Sequence, residues 1–252
     1  MKKEFHNAFK SHQETIQRFI DSFDSSGEQF GKANRNTIKL FNLGEKVVNI
    51  KSFKVPNIFN QIVYKFLRKS KAQRSFEYAK KLLDCGIGTP HPIAYYEFST
   101  PLLFKKSFYV SEHLECDLTY RKLTTNFDYP DYETILRAFT RFTFQLHEKN
   151  IQFLDHSPGN TLIKKVGGHY EFYLVDLNRM KFKPMGLQTR IKNFSRLTIH
   201  KSMVEIMSDE YAKCTGGDYA QIFDLMWKYT EGFQRKFHRK KNLKKKLKFW
   251  KR

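Results

Sequence analysis

The stretch that most constrains this chain spans residues 151–179, IQFLDHSPGNTLIKKVGGHYEFYLVDLNR. A short apolar run leads into Asp155, and Asn160 follows five residues later. The Ser-Pro-Gly between them cannot continue a helix or a strand, so it forces a loop. Two short strands then flank a Gly-Gly turn, and Asp176 ends the second strand. The hairpin is therefore expected to bring a loop carboxylate, a loop carboxamide and a strand-end carboxylate close together.

These three side chains suit phosphoryl transfer. Asp176 and Asn160 offer two oxygen ligands for Mg²⁺ on nucleotide phosphates, and Asp155 can accept the proton of an attacking hydroxyl. The order D-x-x-x-x-N, hairpin, apolar-apolar-D resembles the catalytic loop and the metal-binding Asp of the protein-kinase-like fold. The alternative is a capping Asp, a turn Asn and an ordinary strand-end Asp, because D-x4-N alone arises often by chance. The hairpin and the second Asp favour the functional interpretation.

Composition limits the class of protein. With 252 residues and 40% hydrophobic content, the chain can form one sizeable domain or two small lobes that share a cleft. It has no apolar run of about 18 residues, and its first residues lack an apolar signal core. The three cysteines are widely separated and match neither a disulfide framework nor a zinc site. We therefore expect a reduced, cytosolic protein.

The net charge of +21 implies an anionic partner. Residues 235–252 hold eleven Lys or Arg and no acid, and removing them lowers the net charge to +10. As a helix, this tail would be amphipathic and would bind an anionic membrane surface; the alternative is a solvated, disordered tail, which could also bind. The apolar face of that helix would consist of Phe233, Phe237, Leu243, Leu247 and Trp250.

The first half of the chain predicts a nucleotide-binding lobe. Residues 1–22 are expected to form an N-terminal helix, with apolar periodicity from Phe5 to Ser22. Three β-like segments follow, at 28–31, 37–41 and 46–53. The turn at 32–36 has no glycine, so it departs from the G-x-G-x-x-G pattern, and a surface turn is the alternative to a phosphate-covering loop.

Two residues of this half are candidates for nucleotide binding. Val-Asn-Ile-Lys, ending at Lys51, resembles the V-A-I-K strand whose lysine binds the nucleotide phosphates in kinases, and Lys54 is the alternative. A helical region at 57–85 is expected to break near 68–71. Glu77 is placed in its second half to hold the phosphate lysine, or else to pair with Lys81 at i,i+4.

The remaining elements complete a two-lobed plan. Two strands, 93–98 and 106–111, lead to a linker at 112–115, where backbone groups of Glu112 and Leu114 are expected to bind adenine. A helix is predicted at 137–149, shortly before Asp155. Residues 181–198 are predicted to form a basic loop, and helices are predicted near 199–213 and 218–234. The predicted fold class is α+β, with an antiparallel N-terminal lobe (23–112) and a mainly helical, catalytic C-terminal lobe (113–234).

Four segments carry a family resemblance: NIKSFKVPN, FLRKSKAQRSFEYAKKLLDCGIGTPHPIAYYE, LDHSPGN and YLVDLNRM. They resemble the bacterial lipopolysaccharide core kinases, which add phosphate to Kdo or heptose of the inner core. The resemblance runs from about residue 35 to 197. It implies ATP and Mg²⁺ as cofactors and a lipopolysaccharide core or lipid A acceptor. It also implies peripheral attachment to the cytoplasmic face of the inner membrane.

The resemblance also implies a role for each candidate residue. Phe153 stands where many kinases have the His of H-x-D, and we expect it to pack under the loop. The implied roles are a catalytic carboxylate (Asp155), metal ligands (Asn160 and Asp176), a phosphate lysine (Lys51) and the partner of that lysine (Glu77).

The sequence is also compatible with other classes of protein. A protein kinase would share these residues, but the segment after Asp176 has no A-P-E-like sequence to anchor a peptide-binding loop. A catalytically weak, kinase-like scaffold would share them too. A basic nucleic-acid-binding protein would explain the charge but not the three candidate polar residues, and no nucleic-acid motif is recognised.

Overall fold

The computed structural model describes residues 1–32 and 36–249, the last six of them by their backbone only. The chain folds into two units. Unit 1 comprises Met1–Glu115 and Tyr173–Arg179, and unit 2 comprises Cys116–Phe172 and Met180–Arg252. The sequence predicts two lobes that are continuous in the chain, whereas unit 1 also includes the short segment that carries Asp176.

Unit 1 is built on an antiparallel sheet. Its strands are β1 (Lys2–Phe5), β2 (Glu28–Gln29), β3 (Asn36–Leu43), β4 (Lys46–Phe53), β5 (Pro92–Ser99) and β6 (Phe104–Glu112). Their order across the sheet is β1-β5-β6-β4-β3-β2, and each neighbouring pair is antiparallel. The five strands predicted in this half of the chain are thereby confirmed, and the described residues add a sixth at the edge.

Strand alternation in β4 separates the two faces of this sheet. Val48 and Ile50 are fully buried in a core that includes helix α1 (Gln13–Asp21). Phe53 is buried on the other face, with Phe76 of helix α3 (Lys71–Asp84). Lys51 has the parity of Phe53 and so lies on the α3 face. This matches the prediction that the lysine points away from the Val48 side.

The predicted helix from Phe5 to Ser22 is shorter in the structure. Lys2–Phe5 form β1, which pairs with β5 in the register Phe5↔Ala94, and a 3-10 helix covers Asn7–His12 before α1 begins. The sheet edge offers backbone hydrogen bonds to the first residues, and this tertiary pairing overrides the local helical pattern. The break predicted near 68–71 is confirmed, because helix α2 (Ile58–Phe66) ends before α3 begins.

Unit 2 is mainly helical. Its helices are α4 (Tyr120–Leu123), α5 (Tyr132–Glu148), α6 (Leu187–Lys192), α7 (Lys201–Thr215) and α8 (Tyr219–Phe249). Its strands are β7 (Leu118–Thr119), β8 (Ile151–Phe153), β9 (Thr161–Val166), β10 (His169–Leu174, the end of which belongs to unit 1) and β11 (Met180–Phe182). The sheet order is β10-β9-β7, β11 pairs with β8, and α7 packs against α5 and α8.

Two segments of unit 2 differ from the sequence prediction. The stretch 181–198, expected to be a loop, contains most of β11 and all of α6. The basic tail continues α8 as helix through Phe249, so its described backbone is helical. The side chain of Leu247 and all of Trp250 lie outside the described residues, as does most of the 32–36 turn. No helix in the described part of the chain combines the length and apolarity needed to cross a bilayer.

Candidate active site

The end of β10 positions Asp176 in unit 1. The Leu174 N–H donates to the Gly88 carbonyl at 2.9 Å, and the Thr89 hydroxyl donates to the Leu174 carbonyl at 2.8 Å. Two residues later, Asp176 has a φ of +59°, a left-handed conformation that costs a non-glycine residue about 1 kcal/mol or more. Such strain persists where the surroundings hold the chain, and here it turns a carboxylate out of the strand.

The Asp176 carboxylate receives two donors within unit 1. Nζ of Lys51 lies 2.8 Å from Oδ1 of Asp176, and Nδ2 of Asn178 donates to the same oxygen at 2.7 Å. The segment is fixed further because Nη1 of the buried Arg74 donates to the Asn178 carbonyl at 2.7 Å. An ammonium and a hard oxygen ligand are thus held side by side, which is the pairing that phosphate oxygens and a divalent cation require.

The structure separates the two candidate lysines. The Lys51 side chain is 14% exposed and its ammonium lies over the ring of Phe53. Lys54 is exposed, and its backbone N–H donates to Oδ1 of Asn36 at 3.4 Å. Lys51 is therefore the lysine beside Asp176.

Glu77 has a different partner from the one expected. Nζ of Lys69 lies 2.8 Å from both of its carboxylate oxygens, and Nε2 of Gln73 donates to one of them at 2.9 Å. Lys69 precedes α3 by two residues and reaches the carboxylate along the start of that helix, while Lys51 is bound to Asp176. The expected pair of Lys51 with Glu77 is thus replaced by two separate pairs.

The segment expected to bind adenine continues β6, an interior strand of the unit 1 sheet that lies between β5 and β4. The Glu112 N–H donates to the His91 carbonyl at 2.9 Å, and the His113 N–H donates to the Val47 carbonyl at 2.8 Å. A cavity of about 470 Å³ adjoins this segment, with Val47 and His113 in its wall. Leu114 is half-buried. Adenine binding by Glu112 and Leu114 stays a prediction.

The loop after β8 carries Asp155 and Asn160 in unit 2. Nδ2 of Asn160 donates to the Asp155 carbonyl at 2.8 Å, so the carboxamide closes the loop onto the residue five positions earlier. Nη1 of Arg196 donates to Oδ1 of Asp155 at 2.7 Å and to the Leu154 carbonyl at 3.0 Å. The Asp155 side chain is 17% exposed and is held in one orientation by this guanidinium. The sequence shows Arg196 as one cation in a basic stretch and gives no sign of this contact.

Buried polar side chains support the loop that carries Asp155. Phe153 is fully buried, as expected, and its carbonyl accepts from Nδ2 of Asn193 at 2.7 Å. Asn193 lies 3.3 Å from Nε2 of His147, and the other ring nitrogen of this histidine lies 2.9 Å from the Tyr211 hydroxyl. Burial lowers the pKa of His147 to about 4, so the ring is neutral at neutral pH.

His156 is the second buried histidine of unit 2. Its ring contacts those of Phe139 and Phe153, and among the described residues neither of its nitrogens has a hydrogen-bond partner. Burial lowers its pKa to about 3, with further lowering from the nearby His147 and Arg196. The ring next to Asp155 is therefore a neutral packing element at neutral pH.

The predicted residues thus come together as two pairs, one in each unit. Lys51 and Asp176 are in contact in unit 1, and Asp155 and Asn160 are in contact in unit 2. In the described part of the chain, no cluster of three or more His, Cys, Asp or Glu is placed to bind a metal. Asp176 nevertheless fits a cation, because its carboxylate is 36% exposed and offers hard oxygen atoms, and Mg²⁺ in phosphoryl transfer takes ligands from the nucleotide as well.

Two comparisons relate this chain to known proteins. The model of the lipopolysaccharide kinase (Kdo/WaaP) family matches residues 54–224, more than half of the chain. A solved structure described as WaaP in complex with acyl carrier protein is similar with a TM-score of 0.64 and 14% identity, over 95% of this chain and 99% of that one. The search among curated proteins gives no match. The predicted α+β fold class, with a sheet unit and a mainly helical unit, is confirmed by this similarity.

Proposed function

Because the chain belongs to the lipopolysaccharide kinase (Kdo/WaaP) family, we propose that it transfers the γ-phosphate of ATP to a hydroxyl of Kdo or heptose in the inner core. It is a phosphotransferase that acts on lipopolysaccharide. Its membership of this family sets aside the nucleic-acid-binding and protein-kinase alternatives. We propose that ATP is the nucleotide, that Mg²⁺ is the metal and that Kdo or heptose is the acceptor sugar.

The observation that carries the proposal is the 2.8 Å contact between Lys51 and Asp176. It places a largely buried cation, and not the exposed Lys54, next to a carboxylate at a strained strand end. The ammonium would bind phosphate oxygens of ATP and spread the charge that develops during transfer. Mg²⁺ bound by Asp176 would supply further charge neutralisation at those phosphates, and Asn160 stays the predicted second ligand.

Asp155 would orient the sugar hydroxyl and accept its proton. Arg196 holds one carboxylate oxygen at 2.7 Å, so the side chain does not need to be ordered when the acceptor binds.

The acceptor would be reached from the membrane surface, on the cytoplasmic face of the inner membrane. The tail at residues 235–252 carries eleven cations, and α8 continues into it as a helix that extends through Phe249. Anionic phosphates of lipid A and of neighbouring lipids would attract it, at about 1 kcal/mol per cation near the surface. The net charge of +10 in the rest of the chain would add to this.

The decisive test of the acceptor uses purified protein, ATP and Mg²⁺ with three acceptors: Kdo–lipid A, a heptose-containing core, and a generic protein substrate. The proposal predicts a mass gain of one phosphate on one of the two lipopolysaccharide acceptors and none on the protein. ATP turnover that does not respond to either lipopolysaccharide acceptor would contradict it. The position of the new phosphate identifies the sugar and the hydroxyl.

The tail is tested by deleting residues 235–252. The truncated chain should bind anionic vesicles more weakly at low salt and show a higher KM for membrane-embedded acceptor. Activity on a short, soluble acceptor should persist, because the candidate residues all precede the tail. If the truncated and full chains bind these vesicles equally well at low salt, the tail is not the anchor.

A further inference from the structure

Helix α2 carries an unusual amount of exposed apolar surface. Ile58 is 67% exposed, Phe59 71%, and Leu67, just beyond the helix, 80%; Ile62 and Phe66 are also exposed. At about 100° per residue, Ile58, Phe59, Ile62 and Phe66 fall within one arc of about 100°, which is the width of a stripe that normally faces a core. Here the stripe faces solvent, and α2 has no buried residue.

The opposite side of α2 fixes the helix in this orientation. The Tyr64 ring contacts that of Phe104 at 5.7 Å between centroids, and Nε2 of Gln61 donates to the Pro56 carbonyl at 2.9 Å. The Asn57 side chain caps the N-terminus by accepting from the Asn60 N–H. The helix is therefore attached to unit 1 by its mixed face and presents its apolar face outwards. Contiguous exposed apolar surface of this kind marks a binding surface.

Charge identifies what this surface fits. The segment from Lys54 to Lys71 contains five cations and no acid. Another copy of this chain would bring a net charge of +21 against these cations, so self-association at this face is disfavoured. An apolar stripe flanked by cations is the pattern of an interfacial helix on an anionic bilayer. Near the N-terminus of α2, a cavity of about 260 Å³ is lined by Lys54, Asn57, Asn60 and Lys71 among others. These side chains would give a lipid phosphate polar partners.

We propose that α2 is a membrane-docking helix, which inserts Ile58, Phe59, Ile62 and Phe66 into an anionic bilayer while the surrounding cations contact the lipid phosphates. This docking does not depend on the kinase reaction or on the tail at 235–252. It attaches unit 1, which carries Lys51 and Asp176, to the surface in which the acceptor lies. The bound face is apolar, so docking persists at salt concentrations that screen the tail.

The test is co-sedimentation of the full chain with vesicles of phosphatidylcholine and phosphatidylglycerol, at low and at high salt. Phe59→Gln with Phe66→Gln should lower the partition coefficient roughly tenfold or more, because each removes a large apolar side chain from the bilayer. The loss should remain at high salt, whereas the loss from deleting the tail should be largest at low salt. Phe59→Leu with Phe66→Leu keeps the face apolar and should retain binding.

A matched pair of variants controls for general loss of hydrophobicity. Ile58→Gln should weaken vesicle binding, whereas Val166→Gln, which replaces an exposed apolar residue of unit 2 outside both α2 and the tail, should not. Thermal unfolding of the α2 variants should match that of the parent chain, because the replaced side chains are exposed. Unchanged partition of the Phe59/Phe66 double Gln variant, or equal losses from Ile58→Gln and Val166→Gln, would overturn the proposal. A dimer by light scattering that dissociates with the double variant would also overturn it, because a second copy would then occupy the face.

Discussion

The two buried histidines of unit 2 predict a specific sensitivity to acid. His147 and His156 are fully buried, and their pKa values are lowered to about 4 and about 3. In the unfolded chain both rings have a pKa near 6.5. As the pH falls below that value, the two rings become protonated in the unfolded state while they stay neutral in the folded state. The stability that these rings contribute is thus present above about pH 6.5 and is lost as the pH falls toward 4 and 3.

The size of the effect follows from those values. At about pH 5, each histidine costs about 2 kcal/mol of unfolding free energy relative to about pH 7.5, and the two together cost about 4 kcal/mol. This is a large part of the total stability of a typical domain. Because His147 supports the loop through Asn193 and the Phe153 carbonyl, the loss should affect the candidate active site directly.

The assay is urea unfolding at the two pH values, on the parent chain, on His156→Leu and on His147→Gln. Each variant should lose about 2 kcal/mol less than the parent between about pH 7.5 and pH 5. Carboxylates contribute equally to parent and variant, so their effect cancels in this difference. His156→Leu should also cost little at neutral pH, since it replaces a neutral ring that packs against Phe139 and Phe153. If both variants lose as much stability as the parent, the buried rings are not the source of the acid sensitivity.

Three further predictions concern the candidate active site. Asp176→Ala should weaken Mg²⁺·ATP binding strongly in isothermal titration, because it removes the main hard ligand; unchanged affinity would contradict the assignment. Lys51→Ala should lower kcat/KM roughly a hundredfold, and Lys54→Ala should have a much smaller effect, because of these two lysines only Lys51 contacts Asp176. A larger effect of Lys54→Ala would show that the wrong lysine was chosen. Arg196→Met should lower kcat by roughly tenfold to a hundredfold with little change in ATP affinity, because it removes the guanidinium that donates to Oδ1 of Asp155. An effect on affinity alone would indicate a different role.

Local patterns in the sequence predicted much of the fold. The alternation in β4 placed Val48 and Ile50 in the core and Lys51 on the opposite face, because strand side chains alternate. The glycine pair between β9 and β10 predicted the hairpin, and Gly167 and Gly168 adopt positive φ there. Ser-Pro-Gly predicted the loop that carries Asp155. Each of these sequence patterns lies within a few residues of the element that it predicts.

Contacts that are long-range in sequence could not be predicted in this way. Arg196 reaches Asp155 across 41 residues, and Lys51 pairs with Asp176 across 125 residues and not with the expected Glu77. A strand at 2–5 forms because β5 offers a free edge, and the local helical periodicity gave no sign of that. The apolar stripe of α2 has the spacing of a core face, yet it is exposed. Periodicity identifies which residues share a face, but tertiary packing decides what covers that face.

The central claim is that Asp155 promotes transfer from ATP to an inner-core sugar, and single-turnover kinetics test it most directly. The parent chain and Asp155→Asn would be mixed with γ-labelled ATP, Mg²⁺ and Kdo–lipid A or the heptose-containing core, and labelled acceptor would be counted over time. We predict that Asp155→Asn binds Mg²⁺·ATP nearly as well as the parent and transfers phosphate at least a hundredfold more slowly. Transfer by Asp155→Asn at more than about a tenth of the parent rate would contradict this role for Asp155.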